Sequence, residues 1–281
     1  MRALLVLLLF GSFSLSAQKT QKKTIPNGFE WISKRDLIVS TNEISCSDWL
    51  KFLEANERDV GLLPVTNELV LKCIYTKKGE AVMWRTAQSI FRDTTFLDPE
   101  KGPGKKTRSV EKCSNMPVTG ITFEQANAYC EWLSDKYADD SKYARLKLNF
   151  RLPTSMEMDS LLQDVFSLWR KGEDSYTAFQ QGTNGHGCAI YNHRHDSWCD
   201  TNLRMKSEFG YGIPMQSGVF FADANGLYDL MGNVAEMTSE KGIAKGGSCL
   251  SAASECQPGT VNRYEAPQPW LGFRVVAILK Q

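Results

Sequence analysis

The feature that most limits what this chain can become is a contrast between three sharply signalled helices and long stretches with no periodicity. The first helix starts at Ser45, with Asp48 three residues on and Trp49, Phe52 and Leu53 along one face. The second starts at Thr122, with Gln125 at the reciprocal capping position and Ala126, Tyr129, Cys130, Leu133 and Tyr137 forming one stripe. The third follows Arg151-Leu152-Pro153. There Thr154 caps, Glu157 closes the box, and Met158, Leu161, Leu162, Val165 and Phe166 repeat at helical spacing. A capping box followed by apolar residues at i, i+3, i+4 and i+7 specifies a helix start and its buried face together. Between the helices, Asp98–Lys106 reads as a solvated loop and residues 172–226 are rich in Gly, Asn and Asp. Extended segments are expected at Asp36–Ser40, Ile243–Cys249 and Gly272–Leu279. Few helices, scattered strands and long loops predict an α+β domain. Loops of that length need staples, for which disulfides and bound ions are the usual means.

Length and charge narrow the function classes. A chain of 281 residues can bury a large core. With 33 Lys and Arg against 32 Asp and Glu it has no electrostatic footprint for nucleic acid or anionic lipid. Arg2, the apolar run Leu4–Phe10 and small residues up to Ala17 have the layout of a secretory signal peptide, residues 1–17. The run is too short to span a bilayer, which needs about 20 residues. No Cys near the cleavage site offers an acceptor for a lipid anchor. The expectation is therefore an exported chain, periplasmic or extracellular, with a lead-in over 18–28 and one domain over 29–281.

Export changes the reading of the cysteines. All eight (Cys46, Cys73, Cys113, Cys130, Cys188, Cys199, Cys249 and Cys256) lie beyond the signal segment. In an oxidising compartment an even set points to disulfides. Cys188–Cys199 and Cys249–Cys256 are the shortest loops to close. His186, His193 and His195 fall near Cys188, Asp196 and Cys199, enough ligands for a soft metal but without paired ligand spacing. A disulfide under a polar loop is the competing reading. Three familiar catalytic motifs are missing. Lys106 occupies the Ser/Thr position that a phosphate loop would need, no Gly-x-Gly-x-x-Gly opens a helix, and there is no Gly-x-Ser-x-Gly elbow.

The C-terminal third carries the informative motifs. Asn225-Gly-Leu-Tyr-Asp-Leu-Met-Gly-Asn-Val-Ala-Glu236 leads to Lys245-Gly246-Gly247-Ser248 and then to Leu271-Gly272-Phe273-Arg274. With Pro117–Thr122, Arg151–Thr154 and the opening Glu43-Ile44-Ser45…Trp49…Phe52, this order resembles the formylglycine-generating enzyme (sulfatase-modifying factor) family. The resemblance runs over about residues 29–279 and implies a C-type-lectin-like α+β fold low in regular structure. It also implies Ca²⁺ bound by the side chains of Asn233 and Glu236 with the backbones of Gly232 and Val234. Carbonyl and carboxylate oxygens are hard donors that suit that ion; a polar turn held by internal hydrogen bonds is the alternative. Ala235 and Met237 stand where the family usually has two Trp.

The same resemblance locates a copper site. Family enzymes bind Cu(I) through two cysteines, three and eight residues after the Ser of Gly-Gly-Ser, and oxidise a Cys-x-Pro-x-Arg cysteine to formylglycine. Here the second position is Cys256 and the first is Ser251. The leading expectation is a non-catalytic scaffold or binding module with a protein or cell-envelope partner. Its Gly-Asn-Val-Ala-Glu-Met-Thr run is similar to members in bacterial gliding and type IX secretion machinery, which are lipoproteins. The alternative is a copper-dependent oxidase in which Cys249 substitutes for the lost cysteine beside Cys256. The related iron-dependent sulfoxide synthases would need a histidine-bearing partner domain for which the chain has no room.

Overall fold

The computed structural model describes residues 25–57, 59–64, 70–77, 80–86, 115–169, 180–183, 189–194, 214–220 and 222–278. The signal segment, the 98–106 loop, His186, His195, Cys113, Cys188 and Cys199 lie outside them.

All three expected helices form where their caps place them. Helix α1 runs Cys46–Ala55 with the Ser45 hydroxyl accepting from the Asp48 amide. Helix α2 runs Phe123–Asp139 behind a complete Thr122–Gln125 box. Helix α3 runs Ser155–Trp169, and Glu157 and Thr154 exchange the same two bonds there. Each box satisfies amides that a helix start leaves without partners.

One antiparallel sheet has the order β1-β2-β10-β5, from Phe29–Ile32, Leu37–Ser40, Val276–Ile278 and Asn149–Arg151. It is covered on both faces, so β2 is apolar through Leu37, Ile38 and Val39 rather than alternating. Ile38 and Ala277 join the core under α1 and α2, while Leu37, Val39 and Val276 join Met158, Leu161 and Leu162 of α3. The first core also takes in Ala235, Met237, Ala244 and Leu271 from the second sheet. That sheet has the order β8-β7-β6-β9, from Asn262–Arg263, Ile243–Lys245, Ala235–Met237 and Leu271–Gly272, with β6 and β9 parallel. A separate antiparallel hairpin, β3 (Val70–Lys77) and β4 (Glu80–Thr86), was not anticipated.

Two expected strands are shorter than the sequence suggests. The Ile243–Cys249 segment ends as a strand at Lys245, because Gly246 and Gly247 both take positive φ and turn the chain. The Gly272–Leu279 segment is interrupted between β9 and β10 at residues 273–275.

Candidate functional site

The Gly232–Glu236 segment is buried and hydrogen-bonded throughout. Gly232 has φ +74°, and a Cβ there would stand 2.2 Å from the Asn192 carbonyl oxygen, so only glycine fits. Asn233 follows in the left-handed region at φ +57°. Its Oδ1 accepts from Asn192 Nδ2 at 3.0 Å and from the Met215 amide at 2.7 Å. Its Nδ2 donates to Glu43 Oε1 and Oε2 at 3.0 and 3.1 Å. Glu236 is fully buried and takes a two-pronged bond from Arg274, Nε to Oε2 at 2.5 Å and Nη2 to Oε1 at 2.6 Å. Arg274 also donates to the Ser40 and Tyr228 carbonyls.

In this arrangement Asn233 orients the turn, its Oδ1 accepting two N–H bonds. Glu43 and Asp229 are the buried carboxylates that sequence reasoning left out of the site. Burial, followed by the neighbouring carboxylates of Asp229 and Glu236, pushes the Glu43 carboxyl well above its ordinary range. Burial pushes Asp229 up to about 6, against the pull of the Gly218 amide and Arg274. Glu236 is also raised by burial, opposed by Arg274. Three buried carboxyls thus stand around one guanidinium that bonds only Glu236, and a cluster of hard oxygens is chemistry that suits a divalent cation able to displace their protons. Among the described residues, however, no three His, Cys, Asp or Glu side chains are gathered into one metal shell.

The segment expected to hold copper is a turn. The Ser251 amide donates to the Ser248 carbonyl at 3.0 Å, and the Ser248 amide donates to Ser251 Oγ at 3.1 Å. Ser251 therefore stitches the turn with its own hydroxyl oxygen. Cys249 and Cys256 are both fully buried and both free, as are Cys46 and Cys130, so the expected Cys249–Cys256 disulfide is not made. Burial above all pushes both thiols up to about 12, with Glu43 adding to the effect at Cys249 and Glu255 at Cys256. Cu(I) binds thiolates, so an ion held by this pair would have to displace both thiol protons. Gly247 closes over Cys256, its Cα side so near that an added Cβ would lie 2.4 Å from the sulfur.

Of the expected soft-metal cluster only His193 is described. Its ring is buried, lies 4.7 Å from that of Tyr191, and has Nδ1 2.9 Å from the Tyr191 carbonyl oxygen. It packs on Gly182, where a Cβ would approach the ring to 2.4 Å.

Comparison with known proteins places these features in a family. No curated protein matches the chain. Among solved structures it is similar to PvdO from Pseudomonas aeruginosa at 15% identity, with TM-score 0.49 over 86% of this chain and 80% of that one. It is similar to CarF at 15% identity and TM-score 0.44, over 87% of each chain. It is also similar to Treponema denticola variable protein 1 at 15% identity and TM-score 0.42, over 86% and 84%. The model of the sulfatase-modifying factor enzyme 1-like domain matches residues 2–279. The chain, with its Gly-Asn-Val turn locked by Glu43 and Arg274, belongs to the sulfatase-modifying factor enzyme 1-like family.

Proposed function

We propose that this chain is an exported, non-catalytic member of its family, acting as a scaffold or binding module. The observation that carries the reading is the bond from the Ser248 amide to Ser251 Oγ. At the position where a copper cysteine would stand, a neutral hard oxygen is committed to the backbone, and a serine hydroxyl is a poor donor for a soft ion. The test uses wild type and the Cys249→Ser, Ser251→Cys double variant. Cu(I) retention against a thiol competitor, and aldehyde formation on a Cys-x-Pro-x-Arg peptide by mass spectrometry, are expected to be absent in wild type. Retention is expected only in the double variant.

The oxidase reading rests on one observation. Cys249 stands near enough to Cys256 to raise its thiol further, so both sulfurs occupy one neighbourhood. Peptide turnover by wild type that disappears on Cys249→Ser alone would establish it.

Calcium is the second part of the proposal. The side chains of Asn233 and Glu236 with the main-chain carbonyls of Gly232 and Val234 are the donors we assign to it, and the buried carboxyls of Asp229 and Glu43 stand beside them. Bound Ca²⁺ would displace the protons of these carboxyls. A ligand that binds only the folded state raises stability by about 2.7 kcal/mol at a hundredfold excess over Kd. Chelation is therefore expected to lower Tm, and Glu236→Gln to remove the response. An unchanged Tm on chelating calcium-loaded protein defeats this part alone.

A further inference from the structure

Asn-Gly is the dipeptide whose side-chain amide is most open to attack by the backbone nitrogen that follows it, because glycine has no Cβ to shield that nitrogen. It occurs at Asn27-Gly28, Asn184-Gly185 and Asn225-Gly226. The attack needs two further freedoms: a glycine amide that is not already donating, and an asparagine side chain able to turn onto it. Asn184-Gly185 lies outside the described residues, and the other two pairs are held in opposite ways.

Asn225-Gly226 is tied at each reacting group. The Gly226 amide donates to the Asp223 carbonyl at 3.1 Å. Asn225 Nδ2 donates to Asp223 Oδ2 at 3.3 Å, while the Asn225 and Leu227 amides both donate to Asp223 Oδ1 at 2.8 Å. The turn is also covered, since an added Cβ at Gly226 would meet Glu30 Cγ at 3.4 Å. Attack there has to wait until Asp223 lets go, which requires the turn to open. Asn27-Gly28 has none of these restraints. Both residues are exposed in the turn that leads into β1, and among the described residues neither the Gly28 amide nor the Asn27 side chain makes a hydrogen bond. An added Cβ at Gly28 would meet nothing within 4 Å, which leaves room for a ring to close. The Gly28 carbonyl alone is held, by the Thr41 amide at 2.9 Å and the Thr41 hydroxyl at 3.2 Å.

We infer that Asn27 is a site of spontaneous covalent modification, converted through a cyclic imide to aspartate and isoaspartate, and that Asn225 is its protected counterpart. The Gly28 nitrogen forms a bond to Asn27 Cγ, the Cγ–Nδ2 bond breaks, and the Gly28 amide proton leaves on the ammonia. Water then opens the imide ring. Opening at Cγ gives aspartate; opening at the main-chain carbonyl carbon of Asn27 gives isoaspartate, whose backbone runs through Cβ and Cγ. Water is the only co-reactant, and nothing is oxidised or reduced. Either product adds a negative charge where Asn27 lines a cleft with Lys51 and Lys136. Isoaspartate also lengthens the backbone by one bond just before β1.

The test incubates the full chain at mildly alkaline pH below its Tm, digests it, and follows the peptides containing Asn27 and Asn225 by liquid chromatography and mass spectrometry. The Asn27 peptide should gain one mass unit and split into two species of equal mass, aspartate and isoaspartate. Asn225 should react at least about tenfold more slowly, because it waits on local opening. In the same chain unfolded in guanidinium the two sites should react at similar rates. Asn27→Gln, at an exposed position, should leave Tm unchanged and remove the two products, because its longer side chain closes the ring far more slowly. An Asn27 peptide that stays unmodified in the folded chain, equal rates at Asn27 and Asn225 before unfolding, or aspartate formed without isoaspartate would each overturn the assignment.

Discussion

Phe273 and Arg274 are neighbours in sequence, yet they enter two regions built on opposite principles. Phe273 joins an aromatic cluster with Trp49, Phe52 and Tyr129, whose ring centres lie 5.0 to 6.1 Å apart. Arg274 joins Glu236 and sits beside Glu43 and Asp229 at equal depth. The aromatic cluster is held by dispersion and area, which depend on volume and only weakly on which atom meets which. The charged junction is held by directed bonds whose loss strands a partner without water. Similar burial therefore implies very different tolerance to change.

The largest effect should come from cutting the charged junction on one side. Arg274→Met leaves Glu236 buried and unpaired, a change that costs about 3–5 kcal/mol. Urea unfolding should show that loss, and Arg274→Met with Glu236→Leu should regain much of it. Phe52→Leu, at the same depth in the aromatic cluster, should cost under about 1.5 kcal/mol if residual volume is taken up by neighbours. Similar losses for Arg274→Met and Phe52→Leu would break the contrast.

Acid should separate two kinds of carboxylate. Asp229 is raised in the folded state, from 3.8 to about 6. In the presence of chelator its contribution falls as pH rises between those values, because the folded protein holds the proton more tightly. Asp229→Asn should flatten that part of the stability profile. Asp164 has the opposite sign: the hydrogen bond from Arg35 is the largest cause of its lowered pKa. Its contribution is present above 3.8 and is lost as pH falls through the folded value, so Asp164→Asn should flatten the acid limb instead.

Smaller effects come from the helix starts and the surface. Thr122→Ala removes one side of the α2 capping box and should cost about 1 kcal/mol by thermal unfolding. The Lys241–Glu124 pair is two-thirds exposed on both sides, so Lys241→Gln should lie within about 0.5 kcal/mol of wild type.

The two regions also differ in how legible they were. Trp49, Phe52, Tyr129 and Leu133 are readable because periodicity reports which face of a helix is buried. Arg274 and Glu236 are visible only as members of motifs, since no local rule says that an arginine after Gly-Phe is buried beneath a sheet. Asn233 shows the limit most clearly. Its side chain has the right chemistry for a metal ligand, but its partners Asn192, Met215 and Glu43 come from three distant segments. Glu43 leads into the capped helix α1, and nothing local to it signals that its carboxyl is buried against Asn233, 190 residues away. The strand expected through Cys249 failed at Gly246-Gly247, where positive φ at both residues outweighed the run of small residues after it.

The order of strands has a consequence for how the protein is made. β10 lies inside its sheet, between β2 and β5, and Arg274 precedes it by two residues. The N-terminal β1–β2 pair can close early, but its next neighbour is synthesised more than two hundred residues later. Neither the sheet nor the charge lock can be completed until residue 278 has left the ribosome. Contacts so remote in sequence fold slowly. The chain would thereby stay incomplete and extended through synthesis and become compact only once its last strand is free to pair.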